Sequence, residues 1–124
     1  MFGKLEVLQT AQAMARHSAA RQTLISENIA QADTPGYRAR DLVPFDAVFD
    51  DRAGEMRATR SRHFGAEDQR RPIDRPGELS HNGNTVSLEI EMVEAASVQS
   101  AHSRAVTIYA KGLDLIRASL GRIR

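Results

Sequence analysis

The side chains able to do chemistry are few and scattered. His17, His63, His81 and His102 stand at no spacing, to one another or to a carboxylate, that forms a recognised metal site. Glu89, Glu91 and Glu94 are a compact carboxylate group, and neighbouring carboxylates can share general acid and base work. Here they open an amphipathic pattern, where negative charge complements the positive end of a helix dipole, so catalysis is not needed to explain them. No glycine-rich phosphate loop, Gly-x-Ser-x-Gly elbow or His-Glu-x-x-His pair occurs. Cysteine is absent, which removes thiolate nucleophiles, thiolate metal sites and disulfides. The chain is expected not to be an enzyme and to carry no cofactor.

Binding chemistry is equally muted. Arg57, Arg60, Arg62, Arg70, Arg71 and Arg75 suggest a nucleic-acid contact at first sight. Between Asp50 and Glu78, however, seven arginines face seven acids, and the net charge of the whole chain is only +1. A solvated loop is the better reading, with no nucleic acid as partner. The start, Met-Phe-Gly-Lys-Leu-Glu-Val-Leu-Gln, lacks the apolar stretch of a cleaved signal. No apolar run approaches membrane-spanning length, so no direct membrane insertion is expected.

The elements that hold these residues are two long helices. Residues 3–32 contain no proline, and Leu8, Ala11, Ala15, Ser18, Gln22, Ile25, Ile29 and Ala32 follow the alternating three-four spacing of a helical seam. From residue 85 to 124 the pattern is stronger. Leu88, Ala95, His102, Tyr109, Ile116 and Ile123 form one heptad line, and Met92, Gln99, Val106, Leu113 and Leu120 the other. Ile25, Ile29, Leu88, Met92, Val106, Tyr109, Leu113, Ile116 and Leu120 are therefore the expected helix-packing residues. His102 on this seam is read as setting register, with a proton switch or metal ligand as the other reading. Thr85 or Ser87 is placed to cap the second helix. Gly112 weakens it by about 1 kcal/mol relative to alanine, so close packing or fraying is expected there.

Residues 33–84 hold all four prolines. Thr34 precedes Pro35 and is pushed out of the helical region; Pro35 and Gly36 suit the two corners of a type II turn. Asn82-Gly83-Asn84 is a second turn that launches the second helix. Two short strands are expected around residues 55–64. Phe45 and Phe49, four apart, share one face of a helix, either as a small patch against the terminal helices or as a short linear signal. The fold class is mainly α: residues 1–33 and 84–124 form an α-helical hairpin or coiled coil, and residues 34–83 form a turn and a flexible, charge-balanced, short-stranded excursion. Such a hairpin leaves apolar stripe uncovered and needs partners.

Asn28-Ile29-Ala30-Gln31-Ala32-Asp33-Thr34-Pro35-Gly36-Tyr37 resembles the Asn-Ile-Ala-Asn-x-x-Thr-Pro-Gly-Tyr pattern of the axial rod and hook proteins of the bacterial flagellum. Asn82 to Met92 is similar to the Asn-Val-x-Leu-x-x-Glu-Met lead into that family's C-terminal helix. The short length and the Gly112 ending resemble a rod subunit of the basal body within the family. Gln31 replaces the second asparagine, an exchange expected to weaken a side-chain bond to the turn. The resemblance marks Asn28, Ile29, Ala30, Thr34, Pro35, Gly36 and Tyr37 as the family motif. It implies a structural subunit in the periplasmic part of the basal body, exported without a cleaved signal by the flagellar type III apparatus. Implied partners are other copies of the chain and other rod and export-gate-proximal proteins. Phe45 and Phe49 resemble the family's early export signal.

Overall fold

In the computed structural model the described residues are 2–52 and 71–121, the side chains of residues 2 and 49–52 excepted. Helix α1 runs over Phe2–Ala30 and helix α3 over Leu88–Ser119, with the short helix α2 at Phe45–Arg52 between them. The chain is mainly helical, as its periodicity predicts. Leu8 lies under Gly112, Ala15 under His102 and Asn28 under Glu91. These three contacts make α1 and α3 an antiparallel pair along nearly their full length. The close approach at one end depends on a missing side chain: a Cβ at Gly112 would lie 2.7 Å from Leu8 Cδ2.

The seam differs from the expected one in an instructive way. On α1 it buries Leu8, Ala11, Ser18 and Ile25 as expected, but closes on Leu24 and Asn28 while Ile29 is exposed. At the last turn of α1 the chain returning after Tyr37 lies over Asn28, bonded to it through Tyr37 and Arg40, and leaves Ile29 on the outer face. On α3 the strip facing α1 is Glu91, Val98 and Ala105, with Ala95, Ala101 and His102 half-buried beside it. The small residues of α1 cover a narrow strip, so much of the apolar pattern of α3 stays open.

Where α1 ends, the Pro35-Gly36 turn forms as its chemistry requires. Tyr37 N–H donates to the Thr34 carbonyl at 3.3 Å, and Gly36 has φ +73°. Gly83, at φ +77°, forms the second turn, and the two turns touch through a Gly36 N–H to Asn82 carbonyl bond of 2.9 Å. Between them lie two antiparallel two-residue strands, β1 (Arg40–Asp41) and β2 (Ile73–Asp74), paired Arg40 to Asp74 and Asp41 to Ile73. The strands expected around residues 55–64 fall outside the described residues. Ser87 occupies the N-cap of α3 but makes no side-chain cap bond. The Thr85 hydroxyl instead accepts from Ala39 N–H at 2.8 Å.

Candidate functional site

The turn motif works as a clasp that joins the end of α1 to the start of α3. At its centre Asn28 is fully buried, and every polar valence of its amide is used. Its Oδ1 accepts from Arg40 N–H at 3.0 Å and Tyr37 Oη–H at 3.1 Å; its Nδ2 donates to the Arg40 carbonyl at 2.8 Å and to Glu91 Oε2 at 3.3 Å. Asn28 thus mimics a strand partner for Arg40, and it turns the chain after Tyr37 back along α1. Asparagine suits this position because its carboxamide presents two donors and one oxygen with two lone pairs.

Asn84 closes the other side of the clasp. Its Nδ2 donates to the carbonyls of Gln31, Ala32 and Thr34 at 2.8, 2.9 and 2.8 Å, and its Oδ1 accepts from Val86 N–H at 2.7 Å. Helix α1 has no basic residue in its last turn, so an amide from the second turn motif satisfies the carbonyls that a helix end leaves orphaned. Gln31 does not lose its bond to the turn: its Oε1 accepts from Thr34 Oγ1 at 2.6 Å. The longer side chain reaches the hydroxyl, contrary to the weakening expected from the exchange.

Five charged side chains lock the clasp to both helices. Asp41 receives Nε and Nη2 of Arg21 at 2.8 Å each, Leu42 N–H at 2.7 Å and Arg75 Nη2 at 3.1 Å. Arg75 then reaches Glu91 Oε1 at 2.6 Å, and Arg21 reaches Glu94 at 2.9 Å. Glu91 is almost wholly buried, and Arg75 and Asn28 meet its two oxygens, the partners that a buried carboxyl group requires. Burial pushes the Asp41 carboxyl upward, but the Arg21 and Leu42 hydrogen bonds and the two guanidinium charges outweigh it. Its pKa falls below the ordinary carboxylate value. The hydrogen bond to Asp41 in turn raises that of Arg21.

Two sequence expectations are corrected here. Arg75 does not belong to a solvated loop; it is a half-buried link between β2 and α3. Glu91 is more than a dipole complement, since it forms the charged floor of the clasp. Neither was recognisable, because their partners lie tens of residues away and no local pattern marks them. The other motif residues surround the node: Ile29 and Ala30 on the outer face, Thr34, Pro35 and Gly36 in the exposed turn. Phe45 is half-buried, its ring tilted against His17 with centroids 5.6 Å apart, while His17 Nε2–H donates to the Val43 carbonyl at 2.8 Å. The Phe49 side chain lies outside the described residues. His102 Nδ1–H donates to the Ala15 carbonyl at 3.2 Å, which pins the register of the seam.

Beside the clasp, α3 presents two open apolar flanks. Leu88, Met92 and Val106 lie on one side of the Glu91–Val98–Ala105 strip; Ile90, Val93, Ile108 and Leu115 lie on the other. Tyr109 and Leu120 are also exposed, and Leu113 and Ile116 are half-buried. Among the described residues no group of His, Asp and Glu could hold a metal ion. What the arrangement offers is fixed geometry at one end and adhesive surface along its length.

Replacing Asn28 with alanine orphans the Tyr37 hydroxyl and both backbone polar groups of Arg40, at a cost of roughly 2–3 kcal/mol. A chemical denaturation curve should show that loss, with helix content recovered in a stabilising osmolyte. The depressed pKa of Asp41 gives a stability contribution that is complete above the unfolded value of about 4 and lost as pH falls through the lower folded value. Denaturation midpoints measured from pH 7 down to pH 2 should therefore drop in acid. Asp41→Asn should start lower and drop less.

No family model matches the chain. Similar proteins are nevertheless found, and they share one description. The flagellar basal body rod protein FlgB of Agrobacterium fabrum is 26% identical over 77% of this chain and 78% of its own length. The FlgB proteins of Bacillus subtilis and Cereibacter sphaeroides are 35% and 38% identical, over 64% and 61% of this chain. The chain spans just under two thirds of these last two, 65% and 63% of their lengths. Repeated similarity to one kind of protein accompanies a fold of paired terminal helices. The chain is similar to flagellar basal body rod proteins FlgB.

Proposed function

We propose that the chain is a structural subunit of the proximal rod of the flagellar basal body. In this reading the flagellar type III apparatus exports it without a cleaved signal peptide. It then polymerises through its terminal helices in the periplasmic space, beside other copies and other rod and export-gate-proximal proteins. Residues 1–33 and 84–124 form the packing unit, and residues 34–83 the excursion carried on it. The observation that supports this is the pair of open flanks on α3. A two-fold dimer needs one self-complementary patch. Two different patches on opposite sides of one helix suit head-to-tail contacts, which propagate into a filament when they do not close.

The sister rod subunit FlgC, or another axial protein, is the second reading, and the flanks would serve it equally. The shared FlgB description of the relatives favours the first. Among the described residues no helix is long and apolar enough to cross a membrane, which suits a subunit held by helix packing. Phe45 and Phe49 are proposed as the export signal. The His17 ring contact of Phe45 belongs to the folded chain, so the signal would be fully presented only before folding.

The test is a double substitution on one flank, Met92→Asp with Val106→Asp. Both side chains are exposed on the flank, so the isolated chain should keep its helical circular dichroism. Cells carrying it should fail to build rods and should not swim. Wild-type swimming with the same variant would overturn the packing role of this flank.

A further inference from the structure

Of the three asparagines, Asn28 and Asn84 precede the β-branched residues Ile29 and Thr85, whereas Asn82 precedes Gly83. An asparagine before glycine is chemically labile. The unshielded glycine nitrogen can attack the side-chain carbonyl carbon, forming a succinimide ring and releasing the side-chain nitrogen as ammonia. Water then opens the ring at either carbonyl, giving aspartate or isoaspartate. The reaction exchanges one amide nitrogen for one water oxygen and involves no electron transfer. In the fold the nucleophilic N–H is already engaged, and the Asn82 side chain and backbone carbonyl are held in place, away from the geometry of attack. Gly83 N–H, the latent nucleophile, donates to the Ser80 carbonyl at 2.9 Å. The Asn82 Oδ1 accepts from the Ser80 hydroxyl and from Asn84 N–H. The Asn82 backbone carbonyl accepts Gly36 N–H at 2.9 Å.

We infer that Asn82-Gly83 is a deamidation site gated by the clasp: protected while the two turns are joined, and open to reaction when they part. Exposure alone does not decide it, because Asn82 is exposed in the folded chain and is held there by hydrogen bonds rather than by burial. The consequence is structural. Isoaspartate inserts an extra methylene into the backbone at the point where Gly36 N–H meets the Asn82 carbonyl. A Cβ at Gly83 would stand 3.6 Å from Gly36 Cα, at ordinary contact distance, so the two turns touch here and a longer backbone shifts one against the other. A chain that reacts before its clasp closes would therefore close it poorly afterwards.

The test compares the full chain in native buffer with the same chain in concentrated urea, at pH 8 and 37 °C (conditions of roughly physiological temperature and mild base). Peptide mapping by mass spectrometry reads the one-mass-unit gain and the isoaspartate at each asparagine. The expected result is modification at Asn82 in urea, at least tenfold slower in native buffer, with Asn28 and Asn84 unchanged in both. Asn84→Ala, which cuts the three carbonyl bonds of the clasp, should raise the native-buffer rate at Asn82 towards the urea rate. Hydrogen exchange of the Gly36 amide reports whether that variant has opened the clasp. Equal rates in urea and native buffer overturn the inference. So does an unchanged rate at Asn82 in an Asn84→Ala chain whose Gly36 amide has lost protection.

Discussion

A carboxamide with no free valence stands between the two long helices. Asn28 takes two hydrogen bonds on its oxygen and gives two from its nitrogen, and its four partners come from the turn, the first strand and α3. Buried polar groups left without partners cost about 1–3 kcal/mol each. The site is therefore stable only when all of its members are present together. This makes the chain's direction after Tyr37 and the position of Glu91 on α3 parts of one arrangement. The apolar seam, built largely of alanine, serine and glycine, holds the helices close but constrains their sliding weakly. The clasp supplies the register that such a seam lacks.

Charge has a related role. Asp41, Arg75 and Glu91 come from a strand, the loop after a strand and a helix, and Arg21 comes from the opposite helix. Buried ion pairs are weak evidence of net stability, because desolvation offsets the attraction. Their contribution here is geometric: Arg75 meets both Asp41 and Glu91, which ties the first strand to α3. The same division holds over the whole molecule. Polar contacts at one end define the geometry, and apolar residues elsewhere are left exposed on α3, where the neighbouring subunits of the proposed assembly would meet them.

The parts of this arrangement that sequence makes visible are those with local causes. The hairpin of terminal helices follows from periodicity, and the turn after α1 follows from Pro35 and Gly36. The helix seam was only partly legible: a heptad count favours Ile29, but the chain returning after Tyr37 covers Asn28 instead. Asn28 and Tyr37 could be marked through the flagellar resemblance, though not their joint role. Arg75 was hidden by the parity of charge around it, and Glu91 by its place in a helix's first turns. Asp41 carries no signal at all, since its importance lies in meeting Arg21 and Arg75 across 20 and 34 residues of chain.

The central claim is that the clasp and the helical seam are one cooperative unit. Native-state hydrogen exchange of the isolated chain tests it most directly. The amides of Gly36, Ala39, Arg40 and Thr85, each hydrogen-bonded within the clasp, should exchange with the same opening free energy as those of Ile25 and Val98. Clasp amides that exchange freely while the seam stays protected would contradict it, and would make the turn an ornament on a hairpin held by its helices alone.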